Sequence, residues 1–436
     1  MAAAGGKINV EALTRKIEGK LSDKKLSPQC SIFKIPAILL RHNKNAYEPN
    51  AFSFGPFHHG KENLKATETI KAKYLHDLIS RLSSPNNDPN PVQTRTLWIK
   101  RFTEDISAKW EESRQYYGGP IDMKEDQFVE VLVLDGCFII ELFRKKAYEG
   151  LREKDDLVFS MSCLLQFLLH DLILLENQIP WMVLDTLFNL TRTSIDNKHL
   201  VQLAIDFFGN IFSTKPPSKI DPQLLLRSKH ILDLLRNSLV LTSAKKNHKS
   251  NFEGNIEHMP SATNLDDFGI TFKTDAGTSK SILDIDFNEK NGEMTIPPLL
   301  IQETTETAFR NLISLEQCCP NYDPIITSYA VLLDNLINTH KDMEILCKNG
   351  AITSWLNLDK ATKSFDNLYI DTYVNESFYR KLTLDVDKYC RRSWNRNRRS
   401  LVRDYIKPPW VLVSVIAASI ALILSFLQTL FTIMNK

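Results

Sequence analysis

The stretch from Trp410 to Met434 constrains this chain more than any other, because it contains no charged residue. A helix of this length covers about 36 Å at ~1.5 Å rise per residue, which is enough to cross a hydrocarbon core of ~30 Å with some tilt. A buried helix of a soluble protein is the alternative interpretation. The length of the run and its basic flank favour the membrane, so the sequence predicts a single-pass C-terminal anchor over 405–436.

The residues just before this run form what we call the arginine collar, which contains no acid. Its members are Arg391, Arg392, Arg396, Arg398, Arg399 and Arg403. Arginines near a membrane are attracted to anionic headgroups by roughly 1 kcal/mol each. Lys and Arg also concentrate on the cytosolic side of membrane proteins. We therefore expect the rest of the chain to lie in the cytosol. The expected membrane is the plasma membrane rather than an internal one.

Small residues recur at every fourth position within the apolar run, at Ala417, Ala421 and Ser425. Small side chains at this spacing let two membrane helices approach closely. One interpretation is a helix–helix contact that would produce a homo-oligomer through the membrane helix. The alternative is an ordinary lipid-facing helix that contains small residues by chance.

The remainder of the chain has the composition of a folded protein, since 43% of its residues are hydrophobic and 24% are charged. A net charge of +2 argues against a nucleic-acid partner, which would require a strongly basic face. We predict three parts: a flexible polar leader over 1–29, a single helical body over 30–404 and the membrane anchor. A polar loop is expected near 243–262.

Helical periodicity dominates the body and predicts a mainly α fold. Phe128–Lys146 is apolar nearly all round and is predicted as a central helix, with Leu157–Leu175 as the other core helix. The clear β signal lies near 269–297. There, Ser281–Phe287 alternates between apolar and polar residues, and Asn291-Gly292 provides the turn of a small β-hairpin.

The N-terminal part of the body is divided by prolines and glycines. Cys30–Gly60 is predicted as an irregular, aromatic-rich segment packed on the body. Pro85–Pro91 is typical of a surface linker, and an amphipathic helix is predicted from Trp98 to Tyr117. Acids within the central helix, such as Glu141, are expected to pair with arginine or backbone donors rather than to perform acid–base chemistry.

No sequence motif indicates catalysis or a cofactor. The chain contains no glycine-rich phosphate loop, no GxSxG and no HExxH, so we predict no cofactor and no metal site. Two histidine groups remain as candidates. His58-His59 could bind a metal, with structural hydrogen bonding as the alternative. His170-Asp171 could be a base with its orienting carboxylate, but helical neighbours point ~100° apart and should not face each other.

Distinctive blocks follow one another from about Ser31 to Phe431. They are IFKIPAILLRHNKNAYEPNAFSFGPFHHG (32–60), LHDLILLENQIPWMVL (169–184), PSATNLDDFGITFK (260–273), SILDIDFNEKNGEMTIPPL (281–299), TETAFRNLISLEQC (305–318), ITSYAVLLDNLINTHKDMEIL (326–346) and RDYIKPPW with the apolar run (from 403). In these blocks the chain resembles the plant-specific family known as domain of unknown function 247. The resemblance implies a single C-terminal transmembrane helix. It also implies a recognition role, since some grass members are implicated as pollen determinants of self-incompatibility and others in growth or stress responses. It supplies no catalytic residues and leaves the side of the membrane open.

The sequence therefore predicts a membrane-anchored interaction or recognition module. Its expected partners are the lipid bilayer, through 410–434, and a protein that the sequence does not identify. The alternative is an enzyme, a hydrolase or a transferase, with a site built on His58 and His59 or on His170 and Asp171.

Overall fold

The structure is a computed structural model that describes residues 9–19, 27–83, 90–213, 225, 227–243, 258–274, 281–365, 368–374, 377–392, 395, 397–398 and 409–434. Most of the expected polar loop near 243–262 lies outside the described residues. So do three members of the arginine collar, Arg396, Arg399 and Arg403. The predicted boundaries at 29/30 and 404/405 stay predictions.

Helices dominate the described residues, which confirms the prediction of a mainly α fold. The α-helices are α1 (Val10–Glu18), α2 (Ala37–Leu40), α3 (Glu68–Leu82), α4 (Pro91–Ser107), α5 (Trp110–Arg114), α6 (Glu125–Ala147), α7 (Leu157–Ser160), α8 (Ser162–Asp171), α9 (Trp181–Leu190), α10 (Leu200–Phe208), α11 (Ile231–Val240), α12 (Ala262–Asp267), α13 (Thr305–Cys318), α14 (Ile325–Leu336), α15 (His340–Lys348), α16 (Leu358–Lys363), α17 (Arg380–Cys390) and α18 (Pro409–Met434). Short 3₁₀ helices cover Lys44–Tyr47, Glu62–Thr67 and Glu149–Leu151.

The strands of the described residues are two or three residues long. They are β1 (Ile32–Phe33), β2 (Tyr117–Gly118), β3 (Thr271–Lys273), β4 (Asp286–Asn288), β5 (Glu293–Thr295), β6 (Leu299–Ile301) and β7 (Ile352–Ser354). β1 pairs in parallel with β2, and β6 pairs in parallel with β7. The third sheet has the order β3–β5–β4. Strands this short tie segments together locally and do not form a layer of the fold.

The predicted β-hairpin is confirmed, although its first strand begins at Asp286 and does not include the earlier part of the alternating Ser281–Phe287 pattern. β4 and β5 pair antiparallel, with Phe287 opposite Met294, and Gly292 in the connection has a φ of 68° that glycine adopts without strain. A Cβ at Gly292 would also lie 2.2 Å from the hydroxyl of Tyr389 on α17. The hairpin therefore packs closely on α17, and β3 extends it into a three-stranded sheet.

Helix α6 forms the centre of the N-terminal half of the body and contacts α3, α4, α9 and α10. Sixteen of its residues are buried, as the nearly continuous apolar pattern predicts. A Cβ at Gly136 would lie 2.5 Å from Cδ1 of Leu187 on α9. The absence of a side chain at Gly136 thus lets α6 and α9 approach each other closely.

Helix α4 differs from its prediction at both ends. It begins at Pro91, where Asn90 caps the helix by accepting a hydrogen bond from the backbone N–H of Gln93, and it ends at Ser107. Pro91 was expected in a surface linker, but proline suits the first helical position because the N–H it lacks would have no partner there. The C-terminal part of the expected helix becomes the separate α5 and the strand β2.

The predicted core helix Leu157–Leu175 is not continuous, and the part before Asp171 is less buried than predicted. Asp156 starts α7 by accepting from the backbone N–H of Val158, and Met161 then adopts an extended conformation that separates α7 from α8. Between residues 157 and 170, Val158 and Leu168 are the buried side chains. Phe159, Leu164, Leu165 and Leu169 are partly buried against the core. Leu157, Met161 and Phe167 are the large apolar side chains of this region that remain exposed.

Helix α18, in contrast to the buried α6, is exposed. Its stretch Val413–Met434 is long and apolar enough to cross a membrane, and none of it is buried against the rest of the protein. It is the one such helix among the described residues. Three hydroxyls of this stretch, those of Ser419, Thr429 and Thr432, donate to carbonyls four residues earlier. These three hydroxyls are thus satisfied within the helix, as a hydrocarbon environment requires.

Candidate functional site

The residues singled out by sequence surround one irregular stretch, which we call the Asn50–Gly55 segment. It has no strand partner, so its backbone donors bond to side chains. The Asp171 carboxylate at the end of α8 accepts hydrogen bonds from the backbone N–H groups of Asn50 (2.7 Å), Ala51 (2.9 Å) and Phe52 (2.8 Å). Asp171 is fully buried. Three charge-assisted hydrogen bonds compensate for the burial of its charge.

Two more buried side chains complete this arrangement. Asn177 accepts from the N–H of Phe54 and donates to the carbonyls of Phe52 and Asp171. Asp135 of α6 accepts from the N–H of Gly55 at 2.8 Å. Gly55 has a φ of 72°, and a Cβ there would lie 2.5 Å from the Gln178 carbonyl oxygen. The segment is therefore fixed by residues that lie far from it in the sequence.

Buried ions on α3 and α6 lie beneath this segment. The ammonium of Lys71 lies 2.6 Å from Asp135 and 2.8 Å from Glu68, and it donates to the carbonyl of Ser53. Burial raises the pKa of Asp135, while the charge of Lys71 opposes the rise. Glu141 receives a two-pronged bond from Arg81 at 2.7 and 2.6 Å. These acids have the structural partners that the sequence predicted.

His58 is buried but does not form the structural hydrogen bond expected of it. It is 4% exposed, and neither of its ring nitrogens has a hydrogen-bond partner among the described residues. The closest carboxylate oxygen, Oε2 of Glu176, is 3.6 Å from Nε2, which is too far for a hydrogen bond. Burial lowers the pKa of His58 to about 4, so the ring is neutral at physiological pH. Its neighbour His59 is half-buried.

His170 and Asp171 do face each other, contrary to the sequence argument. Nδ1 of His170 lies 2.9 Å from Oδ1 of Asp171. Since Asp171 is at the last residue of α8, the carboxylate can turn towards both the ring and the Asn50–Gly55 segment. A carboxylate has about four acceptor positions, and Asp171 fills them with three backbone donors and His170. This arrangement fits a structural clamp, because the carboxylate has no acceptor position left for a substrate.

No group of three metal-ligating side chains occurs within the part of the chain that the structure describes. The histidine region therefore contains two separate rings. His58 has no hydrogen-bond partner among the described residues, and His170 is bound to Asp171, whose acceptor positions are all occupied. The sequence did not reveal the backbone donors that occupy Asp171, and a functional role for either histidine group stays a prediction.

A different surface was missed by sequence reasoning, and we call it the α7–α8 face. It consists of Leu157, Met161, Cys163, Leu164 and Phe167. The exposed fraction is 46% for Leu157 and for Met161 and 37% for Phe167. Cys163 is exposed and Leu164 is half-buried. Exposed apolar side chains grouped along two consecutive short helices of a folded body are typical of an interaction surface.

Comparison with known proteins now identifies the family. A profile of the family described as "Plant protein of unknown function", DUF247, matches residues 32–424. The chain belongs to the DUF247 family. This confirms the resemblance drawn from the sequence blocks.

Two Arabidopsis thaliana proteins are similar to this DUF247 chain over nearly its whole length. UPF0481 protein At3g47200 is 24% identical over 428 residues, which cover 93% of this chain and 87% of the relative. Putative UPF0481 protein At3g02645 is 20% identical over 491 residues, which cover 91% of this chain and 89% of the relative. No solved structure matches the chain.

The arginine collar of this DUF247 chain is partly engaged with the body. Arg391 pairs with Asp387 at 2.6 Å and Arg392 with Glu289 at 2.7 Å. Arg398 donates to the backbone carbonyls of Asp266 and Asp267. The contact of Arg391 is local to the end of α17, whereas those of Arg392 and Arg398 tie this part of the chain to the hairpin and to α12. Binding of the collar to headgroups stays a prediction, as does the helix–helix contact at Ala417, Ala421 and Ser425.

Proposed function

We propose that this DUF247 chain is a membrane-anchored recognition protein whose folded body binds another protein. The observation that carries the proposal is the α7–α8 face on a body that buries most of its other large apolar side chains. Burying such side chains in an interface gains about 25 cal/mol per Å². Apolar side chains that a fold leaves exposed are expected where a partner protein buries them.

The anchoring part of the proposal rests on α18. Its uncharged, unburied stretch supplies the roughly 20 apolar residues that a transmembrane helix needs. The collar ahead of it favours a cytosolic body, and the plasma membrane is the membrane we propose. Ala417, Ala421 and Ser425 offer a surface for self-association in the bilayer.

An enzyme built on the histidines has less support. Asp171 has its acceptor positions filled by backbone donors and by His170. His58 is buried away from solvent. A binding role requires neither group to react.

The test of this proposal replaces two exposed residues of the face in the full-length chain. Leu157→Glu with Met161→Glu is compared with the control Ile38→Glu with Ile195→Glu, since the control residues are exposed to a similar degree, 49% and 44%. Both proteins are purified from plant membranes, and co-purifying proteins are quantified by mass spectrometry. We expect at least one reproducible partner that the face variant loses and the control keeps. The same partners for both variants, or none for the wild type, would contradict the binding role.

The anchoring part is tested separately by flotation. Full-length protein should float with membrane vesicles and require detergent for release, whereas the chain truncated before Pro409 should not. Full-length protein that remains in the supernatant without detergent would refute the anchor.

A further inference from the structure

Helix α1 has an apolar face that nothing in the described structure covers. Val10, Leu13 and Ile17 are 68%, 45% and 51% exposed, and no residue of the helix is buried. At ~100° per residue, these three side chains fall within about 60° of one another. Its cap is also local, since Asn9 accepts from the N–H of Ala12. The helix is thus amphipathic, and no contact from the residues that the structure describes stabilises its apolar face.

A helix this short is not stable alone in water. Nucleation is unfavourable, and isolated helices shorter than ~12–15 residues are marginal even with good helix formers. α1 has nine residues, among them the β-branched Val10, Thr14 and Ile17. Its formation therefore needs an apolar surface that accepts Val10, Leu13 and Ile17.

The bilayer is the surface that fits both the apolar face and the charge of this region. Residues 1–29 contain six basic and three acidic residues, a net charge of +3. They are Lys7, Glu11, Arg15, Lys16, Glu18, Lys20, Asp23, Lys24 and Lys25. Within α1 itself two basic and two acidic residues balance, so the net charge of +3 comes from the residues on either side of the helix. An amphipathic helix with a charged opposite face and basic flanks is typical of those that lie in the headgroup region of anionic membranes.

Topology places α1 and the arginine collar on the same leaflet. α18 is the one helix of the described residues that is long and apolar enough to span a membrane, and both α1 and the collar precede it. Attachment through α18 would also raise the effective concentration of α1 at the membrane surface. Even a helix with weak affinity for lipid would then bind this surface.

We infer that α1 lies on the anionic leaflet faced by the body, with Val10, Leu13 and Ile17 inserted at the headgroup boundary, as a second membrane contact of the chain. This inference rests on the proposed membrane anchoring. It assigns to the N-terminal region a lipid ligand, an anionic phospholipid surface, rather than a protein partner.

The test measures hydrogen–deuterium exchange of residues 10–18 in the full-length chain. The chain is placed, one copy per disc, in lipid nanodiscs of phosphatidylcholine alone or of phosphatidylcholine mixed with phosphatidylserine. We expect the amides of α1 to exchange about tenfold more slowly, or slower still, in the mixed discs. Equal exchange in both discs would overturn the inference.

Two variants with equal charge separate the apolar face from electrostatics. Leu13→Glu with Ile17→Glu changes the face, while Ala12→Glu with Gly19→Glu adds the same charge at exposed positions more than about 100° away. A Cβ at Gly19 would meet its nearest atom at an ordinary contact distance of 3.4 Å. In mixed discs the face variant should exchange fast, and the control should stay slower. Equally fast exchange in both would overturn the insertion of the apolar face.

Other outcomes identify which proposal fails. A chain that does not enter the discs at all refutes the anchor itself. A chain that is anchored, but whose α1 is protected only when a disc holds two copies, binds α1 to a second copy and overturns the lipid assignment. Protection that is independent of lipid composition and of copy number assigns α1 to the body instead, and it overturns the inference as well.

Discussion

Helices α6 and α18 are both long and apolar, yet their environments are opposite. α6 has 23 residues and is buried on nearly all sides, whereas α18 has 26 residues, and its Val413–Met434 stretch is exposed throughout. The sequence difference between them is charge. α6 contains four buried ions, and α18 contains none. The buried ions of α6 and their partners are Asp135 with Lys71, Glu141 with Arg81, Arg144 with Asp196 and Lys145 with Asp156.

The comparison shows which sequence feature distinguishes a buried apolar helix from one that is long and apolar enough to span a membrane. Each buried ion of α6 requires an oppositely charged partner from a neighbouring element, so it fixes the position of α6 in the protein. A bilayer offers no such partners, and a helix free of charge enters it at no electrostatic cost. We expect substitutions to act accordingly: α6 should be sensitive to the loss of a charge and α18 to the gain of one.

The largest effect is expected from Asp135→Ala. It leaves the buried Lys71 without its closest carboxylate and the N–H of Gly55 without an acceptor. Breaking a buried ion pair costs about 3–5 kcal/mol. The free energy of unfolding, measured by urea denaturation of the purified protein, should fall by this amount.

The matched control for this pair is Lys71→Met combined with Asp135→Leu. Replacing both ions by apolar side chains removes the unpaired charge, so the double variant should be more stable than Asp135→Ala by at least about 1 kcal/mol. A double variant as unstable as the single one would show that the ion pair does not account for the loss.

Ile420→Lys tests the opposite requirement in α18. A lysine at the centre of a membrane helix costs about 2.5–3.5 kcal/mol on insertion. The fraction of protein that resists alkaline extraction from membranes should therefore drop. Ile433→Lys near the helix end should leave this fraction nearly unchanged, because the side chain can reach the interface. Equal behaviour of the two variants would argue against a bilayer around α18.

His58 gives the body a pH dependence that α18 cannot share, since α18 has no titratable side chain. Burial lowers the pKa of His58 to about 4 in the folded state, against ~6.5 when unfolded. Between these two pKa values the unfolded state binds more protons than the folded state. The contribution of neutral His58 to the free energy of unfolding is therefore fully present above pH ~6.5 and is lost as the pH falls to about 4. His58→Gln should remove about 2–3 kcal/mol of this change.

The measurement is the urea midpoint between pH 4 and 7. Burial also lowers the pKa of His230 to about 4, so His230→Gln should flatten the profile to a similar extent, and the double variant should be flatter still. A His58 variant with the wild-type profile would contradict a buried, neutral ring.

The smallest effect is expected from Gly136→Ala. The new methyl group would lie 2.5 Å from Cδ1 of Leu187, so α6 and α9 would have to separate slightly. Overpacking of this kind costs about 1–3 kcal/mol, measured as a lower free energy of unfolding. Gly150→Ala, which meets nothing within 4 Å, is the control and should change stability by less than about 0.5 kcal/mol.

Sequence patterns predicted those elements whose signal is local. Three elements could be recognised from neighbouring residues alone, and the structure has all of them. They are the apolar run of α6, the turn at Asn291-Gly292 and the uncharged stretch of α18. The start of α4 was missed because a proline-rich stretch is equally compatible with a linker and with the first turn of a helix.

The features that depend on distant residues could not be read from the sequence. The parallel pairs β1–β2 and β6–β7 join short segments far apart in the chain. The backbone donors that occupy Asp171 come from Asn50, Ala51 and Phe52, which precede it by 119 to 121 residues. The exposure of the α7–α8 face could not be predicted either, because an apolar pattern does not reveal whether the core has room for it.

The clamping of the Asn50–Gly55 segment also has a consequence for biosynthesis. Phe52 and Phe54 bond to side chains that are 119 and 123 residues further along the chain. At ~5–20 residues per second, a ribosome needs roughly 6–24 s to add that length. During this interval the nascent chain displays an aromatic segment whose partners do not yet exist. We expect chaperones to hold this segment until α6 and α8 have emerged.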